Sequence, residues 1–448
     1  MNEYVQRVSS QLHKLYGNEM EYLQSIQGWL EMITPVIDNN PEYEKLDLLT
    51  RMVEPERIVS FLVPWEDDAG NYHTNHGYRV QFSSAIGPYK GGLRFQPSLN
   101  AGIVKFLGFE QTYKNALTGL PIGGAAGGAD FDPHCKSDRE IMRFCQSFMM
   151  ALYRYIGSDI DVPAGDIGVG VKEIGYLYGE YKRLAGRVES GAITGKGLPY
   201  GGSKVRLEAA GFGAVYFLAR MLEHQNDTLE GKRIAISGFG NMAWGACRKV
   251  AQLGGKVVTL SGPDGYVYDA DGVVTSEKFD FMTQLRTSCL DQVQPYAEKF
   301  GVPFYAGKKP WNIPVDVVMP CAIENEISLE DATRIIENGV KYYVEAANMP
   351  ATNSALNFLR LDPRICAAGS KAAGSGGVIV SALEMAQNSL RYSWRRTEID
   401  ARLRSTMNAI HDASVLAAEK HGLGYDLIAG NNIAAFEKIS QAMIAQGM

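Results

Sequence analysis

The chain has 448 residues, 46% hydrophobic and 21% charged, the balance of a globular protein whose length argues for two or three folding units. A formal charge of −6, with no basic run or stripe, argues against nucleic acid as a partner and in favour of small molecules. No apolar stretch approaches the roughly 20 residues needed to cross a bilayer, and the N-terminal MNEYVQRVSSQLHKLYG has no apolar signal core, so a cytoplasmic protein without membrane contact is expected.

The first helices are marked by apolar residues at helical spacing, Val5, Val8, Leu12 and Leu15, then Leu23, Ile26, Leu30 and Ile33. From Ile58 to Phe82 the pattern turns to β: a run from Ile58 to Val63, a turn at Asp67-Asp68-Ala69-Gly70, and a second run from Tyr78 to Phe82 predict a hairpin. Residues from about 85 to 200 carry three glycine-rich clusters, G-P-Y-K-G-G, P-I-G-G-A-A-G-G and V-P-A-G-D-I-G-V-G, each with a Lys or Asp beside it. Glycine there permits tight turns and close approach to a ligand, so these clusters read as a pocket rather than as ordinary connecting turns. After Gly202 the texture becomes alternating strand and helix. A helix from about Glu208 to Glu223 leads to a strand at Arg233–Ser237, a glycine turn opening a helix, and a strand at Lys256–Leu260. Further short strands at Val317–Met319, Tyr342–Val344 and Ile365–Ala368 extend a doubly wound parallel sheet, and helical sequence runs from about Ser381 to His421. The predicted class is α/β: an N-terminal α/β domain followed by a Rossmann-type one. The six cysteines, Cys135, Cys145, Cys247, Cys289, Cys321 and Cys366, form no C-x-x-C pair, and the seven histidines show no ligand spacing, so reduced packing thiols and no metal are expected.

The glycine turn is Gly238-Phe239-Gly240-Asn241-Met242-Ala243. A lone motif of this kind is weak, and its last position is Ala243, but a strand precedes it and a helix follows. Gly238 allows the sharp turn, Gly240 lets backbone approach a pyrophosphate, and the helix N-terminus offers free N–H groups to phosphate. Asp264 follows about 20 residues on, where an acidic residue binds the adenine ribose and repels the extra phosphate of NADP. NAD is therefore favoured over NADP, with a water-facing turn as the alternative role of Asp264. In the glycine-rich half, Lys90, Gln111, Lys114 and Asp166 suit a small dicarboxylate or amino acid: the lysines bind carboxylates, and the aspartate moves a proton to or from an amine.

Along essentially its whole length the chain resembles a hexameric glutamate dehydrogenase of the bacterial type, in the Glu/Leu/Phe/Val dehydrogenase family. The stretches that carry the resemblance are R-V-Q-F-S-S-A-I-G-P-Y-K-G-G-L-R-F, K-F-L-G-F-E-Q-T-Y-K-N, D-V-P-A-G-D-I-G-V-G and L-S-G-P-D-G-Y-V-Y-D, the last similar to NAD-preferring members. The resemblance implies a substrate-binding and oligomerisation domain over 1–200, completed by helices at 425–448, and an NAD domain over 201–424. It implies that Lys90 and Ser381 bind the side-chain carboxylate of glutamate, that Lys114 and Gln111 bind its α-carboxylate, and that Asp166 relays the proton. Ala210 and Asn348 fall at cofactor positions. The implied reaction is reversible oxidative deamination of glutamate to 2-oxoglutarate and ammonia, with hydride passed to the nicotinamide across an interdomain cleft in a homohexamer.

Four positions depart from the family pattern. The family's G-G-x-K-G-G-x-D-F-D-P is Gly123-Gly124-Ala125-Ala126-Gly127-Gly128-Ala129-Asp130-Phe131-Asp132-Pro133 here, so Ala126 stands where the family has the lysine that activates water. Loss of a positioned acid/base costs about two to four orders of magnitude in rate. R-P-E-A-T-G becomes Arg206-Leu207-Glu208-Ala209-Ala210-Gly211, N-A-G-G-V becomes Gly374-Ser375-Gly376-Gly377-Val378, and C-A-T-Q-N-E becomes Cys321-Ala322-Ile323-Glu324-Asn325-Glu326. A lone lysine-to-alanine change would look like deliberate inactivation; four look like natural drift or a new task. Two readings follow. One is a glutamate dehydrogenase-like enzyme, weakened or re-equipped, with Lys204 or His134 as candidate substitute bases. The other is a catalytically silent paralogue that binds glutamate or nucleotide and assembles with itself or an active homologue.

Overall fold

The computed structural model describes residues 2–287 and 292–447; Cys289 lies outside the described residues. Contacts divide the chain into two compact units, the first comprising 1–206, 378–399 and 432–448 and the second 207–377 and 400–431. The sequence boundaries had left 378–399 with the nucleotide domain; by contacts this segment, which carries Ser381, clusters with the first unit.

The first unit is built on strands β1 (Arg57–Glu66), β2 (Tyr72–Ser83), β3 (Tyr89–Phe95), β4 (Gly124–Ala129) and β5 (Asp161–Gly165), in the order β1-β2-β4-β3-β5. The expected hairpin is β1 with β2, antiparallel in register from Arg57 opposite Gln81 to Glu66 opposite Tyr72. Asp67 closes the turn by accepting the N–H groups of Ala69 and Asn71 at 2.9 and 2.8 Å. The N-terminal periodicity forms helices Glu3–Tyr16 and Met20–Asp38. Strand β4 is composed only of glycine and alanine and is buried throughout. Its even residues face helix Ala101–Leu117: a Cβ at Gly124 would collide with Thr112, and Val80, opposite Ala126, lies against Gly108. On the other face an aromatic core joins Trp65, Phe95, Phe131, Phe144 and Phe148.

One side chain crosses that sheet. Arg79 leaves β2, passes Gly127 of β4, where a Cβ would sit 2.9 Å from its Cδ, and donates to the carbonyls of Gly91 and Gly92 on β3 at 3.3 Å each. It ends in an ion pair with Asp161 at the head of β5, both side chains fully buried. Gln81 completes the carboxylate's partners at 3.1 Å. Gly127 is thus glycine for a stated reason: a side chain there would block the arginine.

In the second unit, β6 (Arg233–Ile236), β7 (Lys256–Val257), β11 (Val317–Met319), β12 (Tyr342–Val344) and β13 (Cys366–Ala368) form a parallel sheet in the order β13-β12-β11-β6-β7. Strands β8 (Thr259–Gly262), β9 (Gly265–Tyr268) and β10 (Phe304–Ala306) form a separate antiparallel sheet. Here the structure corrects the single strand expected over 256–260. The chain leaves the parallel ladder after Val257, and the Thr259 hydroxyl takes over the partners of the next rung, accepting Ile236 N–H and donating to Ile236 C=O, both at 2.8 Å. The helical sequence expected from about Ser381 to His421 divides into Gly376–Leu390 and Arg396–Lys420, with Arg391 in the left-handed region at φ 53° between them, and helix Leu427–Gln446 follows.

Replacing Arg79 with leucine strands the Asp161 carboxylate in the core and is expected to cost about 3–5 kcal/mol in equilibrium denaturation. Leucine at both positions should restore much of that loss; a double variant as unstable as the single one would contradict the ion-pair account.

Candidate active site

Residues singled out from the first half converge in the first unit. Lys90 on β3 is 1% exposed, and its ammonium donates to Val162 C=O at 3.1 Å and to the Thr194 hydroxyl at 2.9 Å. The same hydroxyl is hydrogen-bonded to Ser381, so Lys90 and Ser381 sit on two sides of one oxygen. Burial, with the Arg206 and Arg79 guanidinium groups nearby, holds the Lys90 amine well below the usual lysine value. Glu384, one turn beyond Ser381, is locked by Gly195 N–H at 3.1 Å and by the Lys196 ammonium at 2.8 Å, with both side chains of this ion pair fully buried.

Helix Ala101–Leu117 carries Gln111 and Lys114 three residues apart, hence on one face. Gln111 donates to Asn115 at 2.6 Å, and Asn115 donates to the Lys90 carbonyl at 3.0 Å, which ties the helix to β3. Asp166 follows β5, accepts Arg94 Nε at 3.0 Å and keeps 30% of its side chain exposed. Gly92 makes room for it, since a Cβ there would lie 2.8 Å from the Asp166 Cβ. Arg206 lies within electrostatic reach of Lys90, Asp166 and Glu384, and its buried Nε has no hydrogen-bond partner. Ala126 is 3% exposed in β4 and presents only a methyl group to the helix side of the sheet. Of the candidate substitute bases, His134 is bonded to the Asp132 carboxylate at 2.7 Å and half-exposed, and Lys204 is exposed. Among the described residues no group of three or more His, Cys, Asp or Glu side chains is placed to hold a metal ion, and no helix is long and apolar enough to cross a membrane.

In the second unit the turn after β6 has the form that backbone recognition of phosphate needs. Gly238 is at φ 85°, donates its N–H to Ser261 Oγ at 2.8 Å, and could bear no Cβ without meeting the Cys321 carbonyl at 2.9 Å. Gly240 caps helix Asn241–Gln252 with no side-chain bond, and a Cβ there would meet nothing within 4 Å. Open space before uncapped helix amides fits a pyrophosphate. Phe239 and Ala243 are buried, and Asn241 and Met242 begin the helix. Helix Ala209–His224 crosses this one at glycine: a Cβ on Gly211 would lie 2.2 Å from Met242 C=O, and one on Gly245 2.5 Å from Glu208 C=O. Ala210 is partly exposed in the first turn of helix Ala209–His224, Asn348 is partly buried beyond β12, and Gly374 ends the short helix Ser370–Ala373.

Asp264 has a different occupation from the one expected. It sits in the β8–β9 turn, and its carboxylate accepts Val293 N–H at 3.0 Å and Gln294 N–H at 2.9 Å, capping helix Gln294–Phe300. Sequence reasoning also passed over Thr194, Lys196, Glu384, Arg206 and Glu326. Thr194 and Lys196 lie in an A-I-T-G-K-G stretch whose single glycines gave no loop signal, and the other three act through partners far away in the chain. Glu326, in the loop after β11, is 6% exposed; its Oε1 accepts Ala322 N–H at 3.1 Å, and burial pushes its carboxyl up to about 7.

A parallel sheet with a glycine turn and an uncapped helix after its first strand defines a Rossmann-type α/β protein. The chain belongs to the Glu/Leu/Phe/Val dehydrogenase family: the model of the Glutamate/Leucine/Phenylalanine/Valine dehydrogenase domain matches residues 201–447, and that of the family's dimerisation domain matches 55–183. It is 57% identical over 448 residues, all of both chains, to the NAD-specific glutamate dehydrogenase of Clostridium symbiosum. It is 48% identical over 440 residues, 97% of each chain, to the NADP-specific glutamate dehydrogenase of Psychrobacter sp.. A solved glutamate dehydrogenase superposes over the whole of both chains with a TM-score of 0.98 at 56% identity.

The raised Glu326 carboxyl makes a signed prediction. A carboxyl that titrates at about 7 in the fold and at an ordinary 4.5 when unfolded stabilises the protein fully below pH 4.5, and that contribution is lost as pH rises through 7. Glu326→Gln, which cannot ionise, should therefore melt above the parent at pH 8 and close its advantage toward pH 4.5. Thermal melts whose difference is the same at every pH would contradict this.

Proposed function

We propose that the chain is an NAD-linked glutamate dehydrogenase whose turnover is slowed by alanine at position 126. The reading is supported by the family, by the relatives' identity over the full chain, and above all by Lys90 and Ser381 meeting at the Thr194 hydroxyl. In the overall reaction, glutamate, water and NAD become 2-oxoglutarate, ammonium and NADH, with release of a proton.

Lys90 and Ser381 receive the side-chain carboxylate. An incoming anion offsets the desolvation that depresses the Lys90 amine, so binding recharges the lysine and favours a diacid over an apolar amino acid. Arg206 adds a second cation, its Nε buried and without a hydrogen-bond partner. Lys114 and Gln111 hold the α-carboxylate. Asp166, steadied by Arg94, moves the proton at the amine nitrogen. NAD, when bound, supplies the hydride acceptor, with its pyrophosphate at Gly240 and the amides of the 241–252 helix. The NAD preference is supported by the NAD-specific relative at 57% identity rather than by Asp264, whose carboxylate caps the helix at Gln294; NADP is disfavoured on the same ground. Residue 126 is where the family's lysine would deliver water to the substrate carbon, and a methyl group does neither half of that work.

A second reading is favoured by β4 itself, which offers no titratable side chain to stand in for the lysine. On this reading the chain is a silent paralogue, still binding glutamate or nucleotide, and acting as a regulatory or assembly subunit beside an active homologue. Both readings place a homohexamer or mixed hexamer in the cytoplasm.

The test is NADH formation from glutamate and NAD, and its consumption with 2-oxoglutarate and ammonium, beside Ala126→Lys. The expected result is turnover about two to four orders of magnitude below the lysine variant's own rate, with the variant still short of an ordinary family member because Ala210, Gly374 and Glu324 persist. Full family-level turnover by the unaltered chain would overturn the account of Ala126. No turnover by either protein, with glutamate and NADH binding retained in calorimetry, would establish the silent paralogue.

A further inference from the structure

The loop after β11 folds back under the glycine turn, and a buried network joins three strand ends there. The Ser237 hydroxyl, at the end of β6, accepts Cys321 N–H at 2.9 Å and lies close enough to the Glu326 carboxyl to act on it. Glu326 also accepts Ala322 N–H, and the Gly238 N–H is held by Ser261 on β8. Strands β6 and β11 are adjacent and parallel, and β7 lies on the other flank of β6, so this network occupies the point where the strand order reverses, the crevice in which α/β sheets bind nucleotides.

We infer that Glu326 is a positioning residue of the dinucleotide crevice: neutral, it holds the Gly238 turn in its phosphate-binding shape, and ionised, it sets a buried negative charge beneath the phosphates and weakens nucleotide binding. The inference rests on the nucleotide reading above. Every charged or titratable group around the carboxyl bears on it. Lys309 donates its ammonium to the Glu326 backbone carbonyl and is the cation that favours ionisation. The Cys321 thiol is driven up by burial and stays neutral. Tyr343, on β12, is likewise pushed up, and its hydroxyl bonds Glu345 at 3.1 Å, a second buried acid. Lys309, at the rim, is thus the cation that acts on the Glu326 carboxyl. Burial at 6% exposure leaves Glu326 uncharged on the acid side of neutrality and charged on the other, while the nucleotide phosphates stay ionised throughout.

The experiment is NADH affinity by fluorescence titration of the full chain from pH 6 to pH 8.5, which needs no turnover. The parent should bind up to about tenfold more weakly per pH unit above the midpoint. Glu326→Gln should bind as the parent does at pH 6 and stay flat. Lys309→Gln, at an exposed position, should move the midpoint to higher pH by removing the cation that favours the carboxylate. A purely structural glutamate would shift neither slope nor midpoint. The same pH dependence in Glu326→Gln, or none in the parent, overturns the role of Glu326 and leaves the nucleotide reading standing. No NADH binding by any of the three at any pH overturns both.

Discussion

Arginine 79 sets the geometry on which the rest of the first unit depends. Its side chain spans the width of β4 and β3 to reach a buried carboxylate, and the residues along its path must be glycine or must offer a carbonyl. The consequence reaches the site. The strand that carries Lys90 is clamped at the next two carbonyls, and β5, which delivers Asp166, is clamped at its first residue. The same guanidinium helps to depress the Lys90 amine, so one cation both places that lysine and disfavours its charge until an anion is near. A buried ion pair is poor evidence of net stability, because two charges have lost their water; its value is to specify one arrangement among several of similar energy.

The second unit solves a comparable problem with hydroxyl groups. Ser237, Ser261 and Thr259 each take a backbone partner that a ladder would otherwise supply, and together they let the chain leave the parallel sheet at β6 and β7 without stranding an amide. That substitution is what frees the turn at Gly238 from strand geometry. Glycine at the helix crossing, Gly211 against Met242 and Gly245 against Glu208, brings the two helices close enough that the 241–252 helix has little freedom to shift.

Local signals in the sequence were read correctly where a period or a turn residue carried them: the first two helices, the 57–83 hairpin, and the short buried strands of the parallel sheet. What escaped was decided by partners distant in the chain. Nothing near Val258 announces that a threonine hydroxyl will replace a rung of the sheet. Asp264 has the spacing of a ribose-binding acid, yet its oxygens are taken by Val293 and Gln294, an attachment about 30 residues away that no local pattern encodes. Lys90, Lys114 and Asp166 stood out because charge amid glycine is conspicuous. Thr194 and Glu384 did not, since a lone threonine and a helical glutamate are commonplace until Ser381 and Lys196 are brought to them.

Strand β4 carries no side chain beyond a methyl group and lies between β2 and β3, which precede it in the chain. It therefore has little to contribute to an early collapse, and its neighbours cannot pair with each other in its absence without leaving the order they finally adopt. Strand β4 is thus a keystone in time as well as in space. The two strands on either side must wait, apart, for a segment of about 30 residues to be made and returned between them, and a chain slow to close that gap exposes two unpaired strand edges while it waits.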